Sequence, residues 1–262
     1  MELRVLQYFL TVTREMTISG AAEQLHITQP TLSRQMKELE DEVGKQLFVR
    51  GNRSIILTNE GLLLKKRAEE IIHLVEKTQK ELASSDLLLN GDIYIGAGES
   101  EGMRIVAKAI NKMQSKYPLV KFHIFSGNAD DVMDKLDKGL VDFGVLIEPV
   151  DMSKYDFLKL PIMCSNQQLV KNEFAGWLGG NDRKLNIIST YNLLYNASLV
   201  VEEGDKYALC LDHIINNSML CFKPLEPKLE VGINIAWKKY QLFSKASEYF
   251  LMILHEEIKK YA

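Results

Sequence analysis

The 262-residue sequence predicts an α/β chain led by a small all-α unit, and three observations carry that reading. Up to about residue 58, short helical patterns are interrupted by tight turns and end in a basic hairpin. From Thr58 to about Leu89, one apolar stripe recurs every three or four residues without a break. From Gly91 onward, short apolar strands alternate with amphipathic helices, as in a parallel sheet.

The N-terminal elements follow from residue chemistry. Ser19 is the expected N-cap of a short helix, where Ala21 and Ala22 are small enough to let a second helix approach, and Leu25 and Ile27 plug the turn. Thr28 is expected to cap the next helix, with Pro30 in its first turn, where a missing N–H is harmless. Leu32, Met36, Leu39 and Val43 give that helix one buried stripe. Its other face carries Gln29, Ser33, Arg34 and Lys37; Gln and Arg pair bidentately with base edges, and Ser reaches a base or a phosphate. Phe48-Val49-Arg50-Gly51-Asn52-Arg53, with Ile55 and Leu57, reads as a hairpin with Arg50 and Arg53 near its tip. A polar helix face alone implies only solvation. The order of these parts points instead to a helix-turn-helix that enters a DNA groove.

Composition is silent on this. The net charge is −3, and residues 1–89 hold 12 basic and 13 acidic side chains. Placement is informative: Glu38, Glu40, Asp41 and Glu42 crowd the far end of the second helix, whereas Arg34, Lys37, Lys45, Arg50 and Arg53 surround its start and the hairpin. Phosphate affinity is therefore expected to be modest per subunit, so that two subunits are needed.

In the long helix, Leu64, Ala68, Ile71, Val75, Thr78, Leu82 and Leu89 form a heptad seam, with Ser85 completing it. At about 1.5 Å per residue such a helix reaches about 45 Å. A long helix lying on its own domain is the alternative to a pairing seam.

Beyond it, Ile93–Gly96, Val120–Phe125 and Phe143–Ile147 read as strands, and Met103–Met113 and Val132–Leu136 as helices, a βαβαβ unit. The first turn, Gly96-Ala97-Gly98-Glu99-Ser100-Glu101-Gly102, nearly matches a dinucleotide fingerprint, but its third Gly comes one residue late. The second strand ends in Ser126-Gly127-Asn128 rather than an acid, so no dinucleotide cofactor is expected. A small anion on the helix N-terminus, with Ser100 as a donor, fits better. Leu225–Trp237 and Lys238–Tyr261 read as a strand followed by an amphipathic helix.

Residues 1 to about 60 resemble the N-terminal winged helix-turn-helix of LysR-type transcriptional regulators, through LQYFLTV, the Ala21-Ala22 pair, TQPTLSRQMKELEDEVGKQLF and LTNEG. The resemblance implies that Gln29, Pro30, Ser33 and Arg34 face the major groove, with wing basic residues on the backbone. It further implies a linker helix pairing two subunits, often doubled to a tetramer, and a hinged effector domain like that of periplasmic binding proteins. Ser100 and Asn128 would line one wall of its cleft, and Ser165, Thr190 and Asn192 the other. The organisation it implies is a DNA-binding domain at 1–58, a dimerising helix at 59–89 and an effector domain at 90–262. The first subdomain of the effector domain would take 90–160 and 224–262, and the second 161–223. Pro161 runs directly into Ile162, where the family has a crossover strand, a Pro-Leu loop and a short helix. A truncated second subdomain is thus expected, and with it a weakened effector response.

The expected function is sequence-specific transcriptional regulation, with double-stranded DNA, a small organic acid, a second copy of the chain and RNA polymerase as partners. The rival is an α/β ligand-binding or enzymatic protein whose helix-turn-helix touches other proteins. No GxSxG, P-loop or HExxH occurs, so no enzymatic activity is expected. Cys164, Cys210 and Cys221 form no CxxC pair and the five His stand singly, which argues against a disulfide framework or a metal site. Apolar runs are too short to span a bilayer and no signal peptide is evident, so a cytoplasmic protein without membrane contact is expected.

Overall fold

The computed structural model describes residues 1–50, 54–83, 89–160, 189–191, 194–204, 206–211, 214–215, 219–225 and 232–261. It divides into two compact units, Met1–Leu82 and Ala83–Ala262.

In the first unit, α1 (Leu3–Glu15) presents Leu6, Phe9 and Val12 on one face and ends at Met16, whose left-handed φ of 56° turns the chain. The next helix, α2 (Ile18–Gln24), is capped by Thr17, whose hydroxyl accepts from the Gly20 N–H at 3.1 Å. Ser19 lies inside that helix, so the expected cap is displaced by two residues: the chain leaves Met16 extended at Thr17 and not at Ser19. Ala21 and Ala22 are buried, as close packing of α1 and α2 requires.

The longer α3 (Gln29–Val43) buries Leu32, Met36 and Leu39 and stops at Gly44, whose φ of 65° suits a residue without a side chain. Thr28 holds the N-cap position, but its hydroxyl pairs with Thr31 Oγ1 at 2.8 Å rather than with a backbone N–H. Strands β1 (Phe48–Arg50) and β2 (Ile55–Leu57) pair antiparallel as the hairpin. Phe48 and Ile55 turn inward, and the Phe48 ring meets Phe9 at 5.3 Å. Helix α4 (Asn59–Ala83) begins under Thr58, which accepts from Gly61 N at 3.0 Å. A Cβ on Gly61 would come within 2.2 Å of the Leu47 carbonyl, so the glycine of LTNEG lets α4 lie against the base of the hairpin.

Two expectations for α4 change. The described part of the helix reaches Ala83, residues 84–88 lie outside the described residues, and Leu89 is not helical and packs on the core of the second unit. Ala68 is completely buried, and with Leu64 and Ile72 it belongs to the core of the first unit. The upper part of the expected seam is therefore spent within the head. Ile71 and Leu82 remain exposed and Val75 half-buried, whereas Ser85 lies outside the described residues.

The second unit is built on a five-stranded sheet in the order β4-β3-β5-β7-β6. Strands β3 (Gly91–Ala97), β4 (Val120–Ser126) and β5 (Phe143–Ile147) run parallel, joined through α5 (Met103–Lys116) and α6 (Ala129–Asp137). This is the expected βαβαβ unit. The returning strand β7 (Ile233–Lys238) enters antiparallel between β5 and β6 (Tyr155–Leu160), and is shorter than the stretch expected from residue 225.

The final helix, α8 (Lys245–Lys259), joins α5 over one face of the sheet. There Ile93, Ile95, Val106, Ala109, Met113, Phe143, Phe250 and Leu254 form the main core. Helix α6 covers the other face with Val132 and Leu136, and approaches so closely that a Cβ on Gly144 would lie 2.6 Å from Leu136 Cδ1. Lys112 bridges α5 to Glu256 of α8 at 2.6 Å. Most of the expected second subdomain at 161–223 lies outside the described residues; within it α7 (Leu194–Glu202) is described. Among the described residues, no helix is long and apolar enough to cross a membrane.

Candidate functional site

Two regions bring the expected site residues together, one in each unit. On α3 the buried stripe fixes the helix's rotation, so the opposite side of its N-terminal half must face solvent. Gln29, Pro30, Arg34 and Lys37 are exposed there, and Ser33 is half-buried. The Arg34 guanidinium lies 3.6 Å from Glu38 on the same exposed helix, a loose pair that leaves it available to a stronger anion. Arg50 is the last residue of β1, while Arg53 lies outside the described residues.

The hairpin is tied to α3 by Glu40, which the charge pattern alone had grouped with the acidic far end of the helix. Its carboxylate accepts from Leu47 N at 2.7 Å and Phe48 N at 3.1 Å, so one charge satisfies both donors at the entrance to β1. The available signal was its place four residues after the buried Met36, beside the core stripe rather than opposite it. Thr58 closes the other side by donating to the Gln46 carbonyl at 2.8 Å.

Glu40→Ala should strand two donors on residues that are themselves buried, at a cost of about 1–3 kcal/mol. A lowered melting temperature of the first unit, with faster amide exchange at Leu47 and Phe48, is the expected readout. Unchanged exchange at both amides would contradict this role.

The second region is the end of the sheet where the parallel strands finish, which is where open α/β sheets hold ligands. Ser100 follows β3, and its hydroxyl is buried with no hydrogen-bond partner among the described residues. Three N–H groups at the start of α5 are already bonded, Met103 to Ser100 O, Arg104 to Glu101 O and Ile105 to Gly102 O. The anion seat expected at this helix start is thus reduced. Asn128 stands at the neighbouring strand end, but its Oδ1 accepts from Asp131 N at 2.9 Å as the cap of α6, so that oxygen is already engaged.

From the opposite wall, Thr190 is exposed, and Ser165 and Asn192 lie outside the described residues. Residues not singled out from sequence make polar contacts elsewhere in this unit. The Glu99 carboxylate accepts from Leu194 N, at the start of α7, at 2.8 Å. Tyr191 donates to the Leu209 carbonyl, and burial, followed by the nearby Cys210 and Glu99, pushes its phenol up to about 12. Glu148, just past β5, accepts from the buried Asn234 amide at 2.9 Å.

Residues 3–62 match the family model described as bacterial regulatory helix-turn-helix protein, lysR family, and residues 88–161 match the LysR substrate binding domain. The HTH-type transcriptional regulator BsdA of Bacillus subtilis (strain 168) is 31% identical over 202 residues, covering 74% of this chain and 66% of that protein. A hydrogen peroxide-inducible genes activator of Pectobacterium carotovorum subsp. carotovorum is 30% identical over 178 residues, covering 68% of this chain and 58% of that one. Across the first of these curated relatives the match spans between 48% and 66% of their length.

Among solved structures, full-length CbnR complexed with its target DNA has a TM-score of 0.66 at 15% identity over the whole of both chains, a likeness of fold. With a LysR helix-turn-helix at its head and a LysR substrate-binding domain after it, the chain belongs to the LysR family.

Proposed function

We propose that the protein is a sequence-specific DNA-binding transcriptional regulator that responds to a small molecule. The observation that carries this is the outward face of α3, where Gln29, Pro30, Arg34 and Lys37 are exposed on a helix whose other side is locked into the core of the first unit. An α-helix of that diameter fits the major groove, and these side chains suit base edges and phosphates. The hairpin held by Glu40 would meet the flanking backbone through Arg50 and Arg53. Thr28 would stand at the groove's edge, and Ser33 would reach a base or phosphate beside Arg34.

In this reading residues 1–58 bind DNA and the helix beyond them pairs two copies through Ile71, Val75 and Leu82. The effector domain carries the sensor and doubles the dimer to a tetramer. The role requires no catalytic step, and its place of action is the cytoplasm, with RNA polymerase as the downstream partner. The effector sits at the end of the sheet near Ser100. The response is weakened by the truncation of the second subdomain at 161–223 that the resemblance implies, since a cleft that cannot close has little differential contact to exploit.

Retention on heparin with a steep salt dependence is expected, together with release by a specific duplex recovered from sequenced genomic fragments. Elution that is independent of salt, with no enriched duplex, would overturn the proposal.

A further inference from the structure

We propose that the free edge of β6 docks an extended peptide segment of a partner protein, apolar at its centre and acidic at both ends, which joins the five-stranded sheet as a further strand. This goes beyond the DNA and effector readings above and is independent of both.

Strand β6 stands at the end of the order β4-β3-β5-β7-β6, and among the described residues only β7 pairs with it. Two backbone bonds fix which way its amide groups point. Lys239 N donates to the Lys154 carbonyl at 3.0 Å, one step beyond the pair of Tyr155 with Lys238, so residues 154, 156, 158 and 160 turn their backbone groups toward β7. On the other side of β7, Glu148 N donates to the Gly232 carbonyl at 2.7 Å, which sets the complementary alternation toward β5. The backbone groups of Tyr155, Phe157 and Lys159 therefore point away from the sheet. Tyr155 N donates to the Met152 carbonyl at 3.0 Å, whereas the N–H and carbonyl of Phe157 and Lys159 have no hydrogen-bond partner among the described residues.

An open cleft of about 490 Å³ runs beside this edge, and its lining includes Met152, Phe157, Leu158 and Trp237 together with Lys239 and His255. Phe157 is 47% exposed although Ala236, its partner across the ladder, is completely buried. The two outward backbone pairs lie two residues apart, about 7 Å along the strand, which is the repeat of another strand. An unpaired edge with an apolar cleft alongside suits strand addition, in which main-chain bonds supply affinity and alternate side chains supply selectivity.

Charge selects the occupant. Lys159 is exposed at one end of the strand and enters no ion pair among the described residues. At the other end Lys154 lies 3.4 Å from Asp137, and Lys239 Nζ donates to the neutral Ser153 carbonyl at 2.8 Å, so positive charge remains there for a ligand. An acidic residue opposite Lys159 and another opposite Lys154 would each meet opposite charge, an apolar one would face Phe157, and Asp156 excludes an acid at the position between. A second copy of the chain would bring its own Lys154 and Lys159 to the same edge, and lysines on an edge strand discourage that pairing.

The test uses the full chain and the acetylated, amidated peptide Glu-Val-Tyr-Thr-Val-Glu, expected to run antiparallel to β6 with its first Glu at Lys159 and its Tyr at Phe157. Calorimetry should show binding, and amide exchange at Phe157 and Lys159 should be fast in the free protein and slow in the complex. N-methylation of the peptide's Tyr removes the donor to the Phe157 carbonyl and should weaken binding by about tenfold or more. N-methylation of its Thr, whose N–H points away from β6, should weaken it less. Lys159→Glu should weaken the peptide by about fivefold, and replacing the peptide's first Glu by Lys should restore the affinity for that variant.

No binding up to millimolar peptide, equal affinity for the two N-methylated peptides, or an unchanged affinity in Lys159→Glu would each overturn the inference. Slow exchange at Phe157 and Lys159 in the free protein would overturn it too, because the edge would then be covered already, by the chain itself or, if the protection rises with protein concentration, by a second copy.

Discussion

Ile71→Asp is expected to split the proposed dimer and abolish operator binding while leaving both units folded. Ile71 lies exposed on α4, so within one subunit an aspartate there is solvated and costs little. In a paired seam the same carboxylate loses water and finds no partner, at a cost of about 3–5 kcal/mol, enough to dissociate most coiled-coil dimers. Two half-sites one or more helical turns apart need two heads, so operator affinity should fall with the dimer. Ala68 would be the wrong probe, because its complete burial in the head means that a charge there would unfold the DNA-binding unit itself. Sedimentation and gel shifts on the same sample are the check. A variant that still sediments with the unmodified protein and holds its operator, or an unmodified protein that is monomeric at micromolar concentration, would rule out α4 as the seam.

Arg34→Ala is expected to weaken the specific site by about 1–3 kcal/mol with no change in thermal stability. The guanidinium side chain is 70% exposed and its ion pair with Glu38 is long and solvated, so removing it costs the fold almost nothing. What is lost is a base-edge contact, and the loss should therefore appear as relaxed sequence preference. Arg53→Ala provides the contrast: a backbone contact should weaken all sequences alike and flatten the salt dependence. A footprint unchanged in affinity and preference after Arg34→Ala would contradict the recognition-helix assignment.

The helices and strands that build both units were legible because their signals are local. Leu32, Met36 and Leu39 at helical spacing, Pro30 in a first turn, and Gly44 after the last turn place α3 with no knowledge of its neighbours. The alternation of strands and helices from Gly91 likewise announces the parallel unit. Legibility failed where one residue type has two uses. Thr17 and Ser19 can both cap, and the direction in which the chain leaves α1 chooses Thr17. Asn128 can line a cleft or cap a helix, and its oxygen is spent on α6. Glu40 looks like part of an acidic surface run until β1 folds back to give it two donors.

The sequence by itself determined the order of elements, the buried stripe of α3 and hence its outward face, since periodicity and capping are properties of neighbouring residues. Only the tertiary structure decided which apolar residues of α4 the head consumes, because a heptad pattern marks a face for burial without naming what covers it. The same holds for Glu148 and Asn234, which are far apart in the chain and meet at 2.9 Å only because β5 and β7 lie side by side.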